Sequence, residues 1–153
     1  MYMNDISVRE FEEADRDVLR HLFVESRDAA FVWAPAGTHK LEDFDQNTRG
    51  ERIIVAVLED VPVGFASVWV PESFLHSLFV HPVFQGRGVG KALLAACDKY
   101  FSGTPTLKCL KANVRATHYY QNRGWRIRSE EDGPDGAYYL MAREPAPASP
   151  AGT

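Results

Sequence analysis

The sequence predicts one α/β domain of the α+β type, a mixed sheet of about seven strands with about four helices, and three observations point there. Alternating and β-branched runs are interleaved with segments whose apolar residues recur at helical spacing. The chain has 153 residues, the size of one ordinary domain with one buried core. Its hydrophobic, charged and aromatic shares of 45%, 25% and 12% are those of a globular chain, not a disordered, collagenous or membrane-spanning one.

In chain order, Ile6 to Phe11 alternates apolar and polar and reads as a strand. Acidic residues open the next segment, and Val18, Leu19, Leu22 and Phe23 share one helical face, predicting a helix over 14–31. Pro35 and Gly37 break it, and Thr38 to Asn47 reads as a short helix capped by Thr38. Arg52 to Glu59 and Pro62 to Val70 form a hairpin around Glu59-Asp60-Val61. Gly64 marks a bulge or a close backbone approach. Phe74 to Val80 is a fourth strand. Val89, Leu93, Cys97 and Tyr100 make the stripe of a helix that starts near Gly88 and is stopped by Gly103 and Pro105. Thr106 to Ala112 is a strand, and Asn113 caps a short helix running to about Arg123. Trp125 to Arg128 and Ala137 to Arg143 are strands separated by a polar turn over 130–136, in which Glu130-Glu131-Asp132 is solvated. The domain therefore spans 1–144, and the Pro/Ala-rich tail 145–153 is expected to be disordered.

Charge and composition exclude several function classes. Seventeen basic against twenty-one acidic residues give a net charge of −4, which removes the electrostatic basis for a nucleic-acid partner. The longest apolar run, Ile53 to Leu58, is far too short to cross a bilayer, and the N-terminus shows no export signal. No membrane association and a cytoplasmic location are expected. Cys97 and Cys109 lack metal or disulfide spacing and read as buried free thiols. His76 and His81 lie five apart on a strand, on opposite faces, so no metal site is expected. No Gly-x-Ser-x-Gly elbow supports a serine hydrolase.

Between the fourth strand and the following helix lies His81-Pro82-Val83-Phe84-Gln85-Gly86-Arg87-Gly88-Val89-Gly90-Lys91. Three glycines at alternate positions uncover the backbone where helix N–H groups have no intrahelical partner, a cradle for phosphate. A dinucleotide fingerprint from Gly86 fails because Lys91 stands where its last glycine belongs. A P-loop fails at Gln85 and at Ala92. The spacing Gln85-x-x-Gly88-x-Gly90 instead resembles the acetyl-coenzyme A loop of the GNAT superfamily of N-acetyltransferases. A second block, Asn113-x-x-Ala116-x-x-Tyr119-Tyr120-x-x-x-Gly124-Trp125, is similar to the family's other signature. The likeness covers residues 75–125 by motif and 4–143 by element order.

That resemblance implies the GNAT fold, with a V-shaped splay between strands 74–80 and 106–112 holding acetyl-CoA. Leu78, Phe79 and Val80 would pair through their backbone with the pantetheine arm, and Gln85, Gly86, Arg87, Gly88, Val89, Gly90 and Lys91 would hold the pyrophosphate. Asn113 matches a residue contacting the arm, although an N-cap role accounts for it equally well. Arg123 could reach the adenosine end or complement its helix dipole. Tyr120 matches the family's general acid towards the departing thiolate, and a phenol of pKa about 10 can supply that proton.

The implied reaction is direct transfer of an acetyl group to a primary amine on a small molecule, peptide or protein through a ternary complex. An alkyl ammonium of pKa about 10.4 costs about 4.6 kcal/mol to deprotonate at pH 7, so a base is needed. His76 occupies a strand position that is often acidic in the family; Glu72 and a water relay are the alternatives. Trp33, Trp69 and Glu72 are candidate acceptor-pocket residues, with Phe31 and Phe44 from neighbouring segments. A non-catalytic acyl-CoA sensor on the same fold and another acyl donor remain open, as does a homodimer.

Overall fold

The computed structural model describes residues 5–30 and 39–144. Seven strands form one sheet in the order β1-β2-β3-β4-β5-β7-β6. They are β1 (Ser7–Glu10), β2 (Arg52–Leu58), β3 (Val61–Trp69), β4 (Phe74–Val80), β5 (Thr106–Leu110), β6 (Trp125–Gly133) and β7 (Gly136–Arg143). Four α-helices accompany them: α1 (Arg16–Ala30), α2 (Glu42–Asn47), α3 (Val89–Cys97) and α4 (Val114–Gln121). All neighbouring strands are antiparallel except β4 and β5, which α3 connects in parallel. This is the mixed sheet with four helices that the sequence predicts. Among the described residues no helix is long and apolar enough to cross a membrane.

Period-2 alternation divides β2 between two apolar layers. Ile54, Ala56 and Leu58 face α3 with Val89, Leu93, Cys97 and Trp125, whereas Val55 and Val57 face α1 with Leu19, Leu22, Phe23 and Phe44. A strand covered on both sides reads as a continuous apolar run, which is why 53–58 shows no alternation. Glu59 and Asp60, both with positive φ, close the β2–β3 hairpin.

Gly64 meets both sequence expectations. Val63 is the extra residue of a bulge against Ala56 and Val57, and a Cβ at Gly64 would fall 2.7 Å from the Phe79 carbonyl. A second bulge makes His76 the extra residue of β4, since Ser67 pairs with Ser77 but Val68 with Leu75. It reverses the facing of the rest of the strand: Leu75 and Leu78 share the α3 layer, while Phe79 packs between Phe23 and Phe65 on the α1 side.

Several boundaries depart from expectation. The first helix begins at Arg16 behind a single 3₁₀ turn, Glu13–Asp15, which Glu12 and Asp15 cap reciprocally. Helix α2 starts at Glu42, and Thr38 lies outside the described residues. Helix α3 gives way at Cys97 to a 3₁₀ turn, Asp98–Tyr100, and α4 stops at Gln121. The main correction concerns 130–136. Strand β6 runs through Gly133, and Glu130 and Glu131 pair with Tyr139 and Tyr138. As the edge strand, β6 keeps its acidic side chains in water, a polarity that mimics a turn.

Candidate active site

Strands β4 and β5 pair only at Phe74 with Thr106 and Leu75 with Leu107. Beyond, β4 stays bonded to β3 up to Val80, and β5 to β7 up to Leu110, so the sheet opens between them. Ser73 fastens the closed end: its Oγ accepts from the N–H groups of Ser102 and Gly103, both at 3.0 Å, and its carbonyl from Thr106 N at 3.1 Å. The bulge at His76 bends β4 where it leaves β5. The opening is a cleft of about 480 Å³ whose walls include Phe74, His76, Leu78 and Phe79 from β4, Lys108 and Cys109 from β5, Asn113 and Tyr120 at α4, and Asp132 to Gly136 at the β6–β7 connection.

The glycine-rich turn leads from the open end into α3. Gly86 and Gly88 have φ of +80° and +87°, and a Cβ on either would meet nothing within 4 Å. Their faces are uncovered, and Gly88 is the N-cap of α3, whose first N–H groups lack intrahelical acceptors. The Gln85 amide donates to the Val80 carbonyl at 3.2 Å, the Arg87 guanidinium lies 5.4 Å above the Phe84 ring, and Lys91 is exposed. Gly90 is required for another reason: a Cβ there would overlap the Tyr119 hydroxyl. An unpaired β4 edge able to take an extended arm and an uncovered amide turn beside it fit a coenzyme A molecule.

The two neighbouring tyrosines part company. Tyr119 packs under the start of α3, its hydroxyl buried without a partner among the described residues. Tyr120 lines the cleft, edge-on to Trp125 at 6.0 Å. Burial pushes the Tyr120 phenol above its ordinary range, and the nearby Cys109, Tyr119 and Cys97 add to the effect. It therefore keeps its proton at neutral pH. Asn113 caps α4 by accepting from Ala116 N at 3.1 Å and also lines the cleft. Arg123 instead stacks on the Tyr119 ring at 3.7 Å and donates to the Tyr119 carbonyl.

His76 lies on the opposite wall from Tyr120. Its Nδ1 is 2.7 Å from Oε2 of Glu51, a residue between α2 and β2 that sequence reasoning did not single out. Nothing in residue spacing links positions 25 apart. The remaining acceptor-pocket candidates fall elsewhere. Trp69 Nε1 donates to Glu72 at 3.2 Å, and neither residue lines the cleft. Phe44 is fully buried against Phe23 and Phe65. Trp33 and Phe31 lie outside the described residues. Both cysteines are buried, and burial pushes the Cys97 thiol up to about 12 and raises Cys109 as well.

Known proteins share this fold. A family model described as the acetyltransferase (GNAT) family matches residues 10–125. No curated protein matches the sequence. Among solved structures, a GCN5-related N-acetyltransferase from Rhodopseudomonas palustris is 23% identical with a TM-score of 0.76, covering 94% of this chain and 98% of that one. The PaiA N-acetyltransferase of Thermoplasma acidophilum, solved in complex with coenzyme A, is 16% identical with a TM-score of 0.73, covering 92% and 99%. A ribosomal-protein-alanine N-acetyltransferase from Brucella melitensis is 20% identical with a TM-score of 0.68, covering 89% and 98%. At these identities the structural likenesses speak for the fold. The family match, which spans most of the sequence, settles the rest: this chain belongs to the GNAT family of acetyltransferases.

Proposed function

We propose that the protein acetylates a primary amine, on a small molecule or a peptide, by direct transfer within a ternary complex, with His76 as general base and Tyr120 as general acid. The observation that carries this reading is their placement on opposite walls of one cleft, at the point where β4 and β5 separate. Acetyl-CoA, the family's acyl donor, supplies the thioester.

The chain's own part is to bind, orient and move two protons. The free β4 edge at Leu78, Phe79 and Val80 holds the arm as an added strand would, and the amides from Gly86 to Lys91 take the pyrophosphate. Asp132 and Asp135 give the acceptor end of the cleft negative charge suited to a cationic amine, beside Arg27 and Lys108. His76 Nε2 takes the ammonium proton, so the nitrogen lone pair can form the new N–C bond. As the C–S bond breaks, the Tyr120 hydroxyl donates its proton to the departing sulfur.

The test is thiol release from acetyl-CoA with a panel comprising a polyamine, a free amino acid, an alanine-terminated peptide and a lysine peptide. Turnover is expected on at least one of them. On that acceptor, His76→Gln should lower kcat about 100-fold while KM for acetyl-CoA stays put. An undiminished kcat would remove His76 from the reaction.

A further inference from the structure

We infer that Glu51 is a positioning residue for His76, fixing the imidazole as the Nδ1–H tautomer so that a bare Nε2 faces the cleft. This deepens the reading of His76 as general base and rests on it.

The geometry is one-sided. The Glu51 side chain is only 7% exposed, whereas that of His76 is 33% exposed and reaches the cleft wall. An ionised carboxylate only accepts hydrogen bonds, so the 2.7 Å contact with Nδ1 requires the hydrogen on that nitrogen. Nε2 is then left with its lone pair. The Phe74 ring, tilted 31° to the imidazole at 5.8 Å, limits its rotation. Glu51 is itself held in place. Its N–H donates to the Thr48 carbonyl at 3.0 Å, and the preceding Gly50 adopts φ +79° against the Trp69 ring.

Stability does not explain this carboxylate. Its Oε1 is buried with no partner among the described residues. Burying a carboxylate is costly unless it is fully paired, and an apolar residue of similar volume is often no less stabilising. What the carboxylate provides and an apolar side chain cannot is a directional acceptor for one ring nitrogen. A base held by a third group is the arrangement that activates such sites elsewhere in chemistry. The other charged groups of the cleft are Arg27 on α1, Lys108 on β5, Asp132 near the end of β6 and Asp135 in the turn that follows it. Among the described residues, Glu51 alone comes within ion-pair distance of His76.

The experiment is ¹⁵N NMR of the imidazole in the full chain, combined with kinetics on the best acceptor of the amine panel. At pH 8.5, His76 should show hydrogen on Nδ1 and none on Nε2. Glu51→Leu should lose that preference and lower kcat about 10- to 100-fold, with KM for acetyl-CoA unchanged. In a His76→Gln background the same substitution should cost nothing further, because the two residues act as a unit. A wild-type ring carrying hydrogen on Nε2 overturns the inference without any variant. So does a Glu51→Leu protein whose tautomer or kcat is unaltered, or one that loses as much again in the His76→Gln background. Failure of the base reading looks different: His76→Gln retains kcat, while the NMR still reports whether Glu51 holds the ring.

Discussion

The Gly86–Gly90 turn, beyond the open end of β4, and the His76 corner, near the end where β4 pairs with β5, are made of different material. The turn offers main-chain amides, and its specification is an absence of side chains at fixed intervals. The corner is assembled from side chains on β4, on the loop before β2 and on α4, three segments that meet only in the folded sheet. A backbone site depends on a short stretch of chain and little else. A side-chain site depends on register, on a bulge and on a carboxylate 25 positions away.

Substitutions in the turn should break the contrast most sharply. Gly88→Asp sets a carboxylate in the open space that the pyrophosphate would fill, and acetyl-CoA affinity measured by calorimetry should fall about 100-fold or more. Unchanged affinity would remove the turn from the site. Gly90→Ala tests packing instead: its Cβ would collide with the Tyr119 hydroxyl, so thermal unfolding should show a loss of about 2 kcal/mol. Tyr119→Phe alone should cost almost nothing, since it deletes a buried hydroxyl that has no partner among the described residues, and it should restore part of the Gly90→Ala loss. A Gly90→Ala protein as stable as wild type would show that Tyr119 yields freely.

A pair remote from the cleft provides the reference. Asp15 accepts two hydrogen bonds from Arg9, at 2.8 and 2.9 Å, and one from Glu12 N at 2.8 Å. The Arg9 guanidinium holds its carboxyl below the ordinary range. The resulting stability is present above the unfolded value of about 3.9 and is lost as pH falls through the lower folded value. Asp15→Asn should therefore cost about 1.5 kcal/mol at pH 7 and progressively less in acid, with the kinetics of the remaining folded protein unaffected. A constant difference across pH would mean that the pair's charge is irrelevant. Among the cleft residues, Tyr120→Phe should lower kcat about tenfold without weakening acetyl-CoA binding. Full activity would leave the departing thiolate to find its proton in solvent.

The same contrast governs what could be read from the chain. Gly88 and Asn113 announce themselves by spacing because a positive φ and an N-cap favour their identity locally, and the boundaries of β4 come from a short apolar-rich run between Pro71 and Pro82. Glu51 is invisible for the opposite reason. A glutamate after a glycine reads as solvated loop, and only the folded chain buries its side chain beside His76. The acidic run at 130–132 misled similarly, because an edge strand with a wet face has the composition of a turn. Tyr119 and Tyr120 are indistinguishable as letters. Their separation into packing and cleft roles comes from the rotation of α4 over β5.

The bulge at His76 makes that residue more than a side chain on a wall. Because two successive positions of β4 answer one of β3, every side chain from Ser77 to Val80 faces the way it does only while the extra residue is there. Deleting it would turn that end of the strand inside out, sending Phe79 towards α3 and Leu78 towards the aromatic cluster around Phe23. On the proposed reading, frame and chemistry thus share one position: a substitution at 76 leaves the register of β4 in place, a deletion shifts it, and a base could not move along β4 without redrawing the core.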